Sequence, residues 1–213
     1  MSSIADIRTD YQLATLDEQA VGDDPLVFFS RWFSEALAAQ VIEVNAMTLA
    51  TVDARQRPHA RIVLLKGVEQ GGFVFFTNYN SDKGKEIADH AHAALVFFWP
   101  ELQRQVRVEG RVQKVSSDAS DAYFRSRPAA SRIGAWASPQ SAEIHGREVI
   151  EQNEQQYSER FADGDIPRPE HWGGYAVIPD RIEFWQGRAS RLHDRICFEP
   201  DNAGSWRKFR LAP

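Results

Sequence analysis

Two hydrophobic periods divide this chain. At Leu26, Phe29, Phe33 and Leu37 apolar residues recur at three- and four-residue steps, the stripe of an amphipathic helix. Asp24-Pro25 just before it offers a capping carboxylate and a proline at the first helical position. From Ala46 the period falls to two. Strands are predicted at 46–52 and 59–66 around a turn at 53–58, at 73–77 after Gly71-Gly72, and at 93–99 before Pro100. The run 103–115 alternates cleanly, with Gln103, Gln105, Arg107, Glu109 and Arg111 on one face and Val106, Val108 and Val112 on the other.

Helices are predicted at 83–90, at 118–126, and at 143–161. The second stops at Arg127-Pro128, because a residue before proline avoids the helical region. Strands at 174–178, 181–185, 191–198 and 206–211 finish the chain. Residues 1–23 are polar and weakly patterned, with Ile4, Ile7 and Tyr11 allowing a short helix. They are expected to form a flexible N-terminal arm ahead of one domain over 24–213. Many antiparallel strands joined by short turns, with inserted helices, predict a mainly β, closed or nearly closed barrel. A doubly wound parallel sheet would need a strand–helix alternation that is absent.

Composition narrows the function classes. A net charge of −5 with no long basic run argues against a general nucleic-acid role. The single cysteine, Cys197, excludes an internal disulfide and a multi-cysteine zinc site. His90 and His92 have no third ligand in view, so no metal is expected. No apolar run reaches membrane-spanning length, and the opening residues lack a basic-then-apolar leader pattern, so a soluble cytoplasmic protein is expected. Six tryptophans and thirteen phenylalanines suit a flat-ligand site, but a large core accounts for most of them.

There is neither a glycine-rich dinucleotide fingerprint nor a P-loop, so side chains must hold any phosphate. Arg61 and Lys66 bracket the apolar Ile62, Val63, Leu64 and Leu65, on opposite faces of their strand. One could serve a cofactor phosphate and the other a substrate; a buried strand with snorkelling charged ends reads equally well. Tyr123 and Arg127, four apart on a helix, share a face, and Ser131 follows across the proline. A phenol, a guanidinium and a hydroxyl brought together suit a phosphate dianion. On the strand predicted at 191–198, Arg191, His193 and Arg195 share a face. They repel one another unless something anionic or electron-rich covers them, or nearby carboxylates neutralise them. Gly187 lets the chain turn just before.

Ile182-Glu183-Phe184-Trp185-Gln186 with Arg191-Leu192-His193-Asp194-Arg195 resembles the C-terminal signature of the pyridoxamine 5'-phosphate oxidases, FMN enzymes that make pyridoxal 5'-phosphate. Arg61-Ile62-Val63-Leu64-Leu65-Lys66 resembles that family's flavin-binding strand. Ser126-Arg127-Pro128 and Ser131-Arg132-Ile133-Gly134-Ala135-Trp136 resemble its substrate-phosphate segment, and Arg210-Leu211-Ala212-Pro213 its ending. The resemblance runs from about residue 25 onward. It implies an FMN-binding split β-barrel, homodimeric with flavin at the subunit interface. The implied reaction oxidises pyridoxamine or pyridoxine 5'-phosphate, with O2 reduced to H2O2.

By the same resemblance, flavin contacts fall on Arg61, Ile62, Val63, Leu64, Leu65, Lys66, Phe76, Thr77, Lys83, Gln105, Gln140, Ser141, Trp185 and Arg195. Gln140, Ser141 and the final strands are expected from the partner subunit. Lys66, Tyr123, Arg127 and Ser131 would take the substrate phosphate. Arg191, Leu192 and His193 would lie over the substrate ring, with Arg191 and His193 in catalytic roles, and Arg8 and Tyr11 would cover it. The chain departs from the family pattern at Asp82, where a basic or polar residue is usual; Asp82 is read as a helix cap turned away from phosphate. Two other readings stay open: a related flavin oxidase acting on another ring, such as a phenazine precursor, which has no need of the phosphate set, and a non-catalytic binder of FMN or pyridoxal phosphate, which would bind without turnover.

Overall fold

The computed structural model describes residues 3–7, 9–201 and 204–213. Among them run α1 (Pro25–Ala38), β1 (Ala46–Val52), β2 (Pro58–Leu64), β3 (Gly67–Glu69), β4 (Gly72–Asn78), α2 (Asp82–Asp89) and β5 (His92–Trp99). Then follow β6 (Arg104–Lys114), α3 (Ser117–Ser126), α4 (Ala129–Ala137), α5 (Glu148–Arg160), β7 (Trp172–Gln186), β8 (Asp194–Pro200) and β9 (Trp206–Arg210). The strands join in one sheet in the order β2-β1-β5-β6-β7-β4-β3, with β8 and β9 branching from β7. Every pairing is antiparallel. Among the described residues no helix is long and apolar enough to cross a membrane.

The two strands expected at 174–178 and 181–185 are one. β7 pairs with β4 through its first half, from Asn78↔Trp172 to Phe73↔Val177, and with β8 through its second, from Ile182↔Phe198 to Gln186↔Asp194. β6 runs along both halves, and the register shifts between Glu109 and Gly110, opposite Pro179. This bulge bends the pair so that one strand serves two arms of the sheet. Gly110 is required there, since a Cβ would sit 2.1 Å from the Ile178 carbonyl oxygen.

The core fills the concave side of the sheet, and α1 plugs it. Asp24 caps the helix by accepting from Leu26 N at 2.8 Å and Val27 N at 3.3 Å. Its inward face is Phe28, Phe29, Trp32 and Ala36, while Leu37 is 54% exposed. The expected stripe is therefore rotated, because burying Phe28 and Trp32 removes more apolar surface than burying Leu37. Phe29 meets Phe73 edge-on at 4.9 Å, and Phe28 meets Phe184 at 4.6 Å. A second, smaller cluster of Phe124, Ile133, Ile166 and Trp172 joins α3 and α4 to the start of β7.

Three further expectations change. The strand expected from 191 starts at Asp194; Ala189–Arg191 is a 3-10 turn in which Ser190 and Arg191 have φ of 56° and 61°. Two successive left-handed residues cannot continue a strand, so Arg191, His193 and Arg195 do not form one strand face. The helix α4 was not foreseen, because Gly134 and the serines around it dilute its apolar stripe. The helix expected at 143–161 begins only at Glu148. Residues 9–23 lie against the last strands, with Leu16 and Val21 buried. Arg210 forks onto Glu18 at 2.7 and 2.9 Å and also reaches Asp194 at 2.8 Å. Asp194 in turn accepts from Leu16 N at 3.0 Å and from the Arg188 guanidinium at 2.9 Å.

Gly110→Ala should lower unfolding stability by about 1–3 kcal/mol, since the clash is with backbone. Gly134→Ala, with open space around it, should raise it by about 0.5–1 kcal/mol; urea titration of both checks the bulge. The hydrogen bonds from Arg210 hold the Glu18 carboxyl down at about 2, against 4.5 when free. The clasp is therefore complete above about pH 4.5 and is lost as pH falls toward 2. Hydrogen exchange of residues 9–23 should accelerate over that window, and Arg210→Ala should show the fast rate already at neutral pH.

Candidate functional site

Between the end of β2, the middle of β4, the start of α2 and the α3–α4 corner lies a cavity of about 470 Å³. Lys66, Phe76, Thr77, Lys83, Tyr123, Arg127, Ser131 and Gln140 all line it, with Ile62, Val63 and Leu64 along one side. Each element delivers its residue for a local reason. Ser81 caps α2, its hydroxyl accepting from Gly84 N and donating to Asn78 O at 2.6 Å. That places Lys83 in the first turn. Asp82 is not the cap; it is the exposed first residue of the helix. Arg127 is the residue that ends α3 before Pro128, so its side chain and that of Tyr123 reach the same cavity.

The cavity is cationic. Among the described residues, Lys66, Lys83 and Arg127 have no carboxylate partner. Lys83 is buried and donates to Ser81 Oγ at 3.2 Å and Gln140 Oε1 at 3.4 Å. Its burial, and then the neighbouring Arg61 charge, hold its pKa below the ordinary lysine value. The Arg127 guanidinium lies 4.6 Å from the Trp172 ring and 5.6 Å from Phe124, and burial lowers its pKa as well. Its Nη1 is buried with no hydrogen-bond partner. Desolvated donors without a counter-charge are stabilised by an anion. Beside them Phe76 stacks on Tyr123 at 4.0 Å and 16°, and Trp172 lies parallel to both, a flat aromatic wall.

The remaining expected residues lie elsewhere. Gln105 pairs with Trp185 across β6 and β7, and Trp185 pairs with Arg195 across β7 and β8. The Trp185 ring is 4.6 Å from His193 and 5.7 Å from Tyr11. Tyr11, Arg188, Arg191 and His193 line a second cavity, of about 630 Å³. The backbone N–H of Arg188 donates to His193 Nδ1 at 3.0 Å, which assigns the proton of the neutral ring to Nε2. Leu192 is exposed. Arg195 is taken up by Glu183 at 2.8 and 2.9 Å and by the Ala212 carbonyl at 2.8 Å. Arg8 lies outside the described residues.

The two groups stand at opposite ends of β7. Phe76 pairs with Gly174, and from Gly174 to Trp185 is at most about 35 Å of strand. One chain does not bring them together. Gln140, expected from a partner, instead sits beside Thr77 and Lys83 of its own chain, accepting from Thr77 Oγ1 at 3.4 Å. Ser141 is exposed and outside the cavity, with a φ of 69°. Within the flavin strand Leu65 faces the core, and Arg61 pairs with Glu86, off the cavity lining but close enough to Lys83 for its charge to act there. Sequence reasoning missed Trp172, whose signal was an aromatic directly ahead of Gly173-Gly174. It also missed Glu86, one of three acids in a short polar helix, with nothing local to single it out.

The architecture is a split β-barrel of the kind found in flavin-binding proteins. Residues 33–160 match the family model described as pyridoxamine 5'-phosphate oxidase. Residues 172–213 match the one described as the pyridoxine 5'-phosphate oxidase C-terminal dimerisation region. A pyridoxine/pyridoxamine 5'-phosphate oxidase of Ralstonia nicotianae is 60% identical over the whole of both chains. The crystal structure of PhzG from Burkholderia lata, in complex with tetrahydrophenazine-1-carboxylic acid, superposes with a TM-score of 0.87 at 27% identity, covering 95% of this chain and all of that one. A pyridoxamine 5'-phosphate oxidase-related, FMN-binding protein of Nostoc punctiforme shares the fold, with a TM-score of 0.70 at 19% identity over 87% of this chain and 97% of that one. The chain belongs to the pyridoxamine 5'-phosphate oxidase family. It carries that family's dimerisation region in β7, β8 and β9.

Inorganic phosphate should stabilise the ligand-free protein, by about 1.4 kcal/mol at ten times its dissociation constant. The gain should shrink in Arg127→Ala. Thermal melts with phosphate against chloride at equal ionic strength check the charge assignment.

Proposed function

We propose that this chain is an FMN-dependent oxidase that converts pyridoxamine 5'-phosphate and pyridoxine 5'-phosphate to pyridoxal 5'-phosphate, with O2 reduced to H2O2. The observation that carries the reading is a set of cations with no ion-pair partner among the described residues, Lys83 buried and Arg127 half-buried, against a flat aromatic wall. Their chemistry fits phosphate groups and planar rings. Lys83, Thr77 and Gln140, with Arg61 behind them, would hold the cofactor phosphate. Lys66, Tyr123, Arg127 and Ser131 would hold the substrate phosphate. When bound, FMN supplies the ring that accepts a hydride from the substrate's 4' carbon and passes the electrons to oxygen.

The rest falls to the chain's own side chains. Arg191, Leu192 and His193 of a second copy, with its Gln105, Trp185 and Arg195, would complete each site. The support is that all but Gln105 lie at or beyond the far end of β7 in a dimerisation region, and Gln105 pairs with Trp185 there. Tyr11 and Arg8 would cover the substrate. His193 already accepts a proton bond at Nδ1, so toward substrate it offers Nε2–H as a donor that orients the ring. Arg191, with no carboxylate partner among the described residues, supplies positive charge over an electron-rich ring. Holding the donor carbon close can itself remove several kcal/mol of barrier. We assign the enzyme to the cytoplasm, in keeping with a lone buried cysteine.

The likeness to PhzG supports a second reading, oxidation of an unphosphorylated ring. The phosphate-shaped cation set weighs against it. Purified protein loaded with FMN and mixed with pyridoxamine 5'-phosphate in air should yield aldehyde, ammonia and peroxide. Flavin binding with no turnover would sink the oxidase reading. Arg127→Ala should weaken substrate binding by about one to two orders of magnitude, the loss of one charge-assisted hydrogen bond, and leave FMN content unchanged. Arg191→Ala should instead slow flavin reduction at saturating substrate, read by stopped-flow absorbance.

A further inference from the structure

Glu86 lies on α2, one turn beyond Lys83 and on the same face, and is only 5% exposed. Both of its oxygens are engaged. Oε1 meets His59 Nδ1, and Oε2 accepts from Thr51 Oγ1 and, at 3.0 Å, from Arg61 Nη2. The other guanidinium nitrogen, Nη1, donates to Thr51 Oγ1, and at 3.4 Å to the Leu49 carbonyl. Arg61 is thus held by three elements at once, β1, β2 and α2. This matters because β2 is an edge strand whose alternate side chains face solvent, and an arginine there is ordinarily free to swing outward. Arg61 and Lys83 also repel each other, which depresses the Lys83 pKa further. The Glu86 carboxylate, bonded to Arg61 and attracting Lys83 by its charge, offsets that repulsion.

We infer that Glu86 is a positioning residue for the cofactor's phosphate: it fixes the Arg61 guanidinium next to Lys83 and thereby sets how strongly the chain prefers FMN over unphosphorylated riboflavin. The inference rests on the function proposed above. Two other roles make different predictions. A Glu86 that only pins α2 to the sheet would affect FMN and riboflavin alike. A Glu86 that only cancels positive charge would weaken phosphate binding, and its removal would strengthen it.

The test is the ratio of riboflavin to FMN dissociation constants, read by quenching of flavin fluorescence on the whole protein. Glu86→Gln keeps the volume and removes the charge. It should lower the ratio about tenfold or more, the worth of a charge-assisted hydrogen bond, with riboflavin affinity nearly unchanged. Arg61→Ala should lower it by at least as much, and adding Glu86→Gln to it should lower it no further. Thr51→Val, a milder change that removes the hydroxyl shared by Arg61 and Glu86, should give a smaller drop and covers the case in which Glu86→Gln folds poorly. A ratio that Glu86→Gln leaves unchanged or raises, while Arg61→Ala lowers it, overturns the inference and leaves the phosphate assignment standing. A wild-type ratio near one overturns the assignment itself, and the inference with it.

Discussion

The long antiparallel ladder between β6 and β7 is the constraint on which the rest of the structure depends. β7 has two sets of neighbours, β4 early and β8 late, and can serve both only because the ladder bends at Gly110 and Pro179. On the early arm hang the aromatic wall and the α3–α4 corner, through Trp172. On the late arm hang Trp185, the 187–193 turn and Arg195. The bend therefore does more than close a barrel around α1. It sets the cationic cavity and the 187–193 turn at opposite ends of β7, the second of them within the C-terminal dimerisation region.

Electrostatics then distinguish the two arms. On the late arm nearly every cation is matched: Arg195 and Arg107 share Glu183, Arg181 and Arg207 share Glu199, and Arg210 holds Glu18 and Asp194. On the early arm Lys66, Lys83 and Arg127 form no ion pair among the described residues; Lys83 is buried, Arg127 is half-buried against Trp172, and Lys66 is exposed. A fold gains nothing from desolvated, unmatched charge. Its presence at the cavity, against the thorough pairing elsewhere, marks that region as built for a ligand.

Much of this was legible in the sequence. The period-two runs placed β1, β2, β4, β5 and β6 within a residue or two; β1, β5 and β6 alternate between a buried and a more exposed face, whereas β4 is buried on both. Asp24-Pro25 announced α1, and Arg127-Pro128 the end of α3. The resemblance collected cavity residues scattered from 62 to 140, which no local pattern joins. What was illegible depends on long-range pairing. The turn at Ser190 and Arg191 looks extended in sequence, since nothing local shows that Asp194 is anchored by Leu16 and Arg210 from the two ends of the chain. Residues 174–178 and 181–185 read as two strands because Pro179 signals a break; a bulge in β7 at Asp180 accommodates it instead. The Arg61–Glu86 pair joins residues 25 positions apart with no motif between them.

The clasp of residues 9–23 also has an order in time. Lys208 reaches back 190 residues to the Glu18 carbonyl, and Arg210 reaches back 192 to its carboxylate. During synthesis the Glu18 end of this first segment has nowhere to dock until β9, among the last, has emerged and paired with β8, whereas Gln12 and Leu13 already find Gln103 just ahead of β6. Contacts of such sequence separation form late, because the loop they close must be ordered first. Tyr11, which rests on Trp185 and His193, is carried by that same segment. The second cavity therefore acquires its covering wall only after β7 and the turn at 187–193 are built, and β9 then locks the far end of that segment in place.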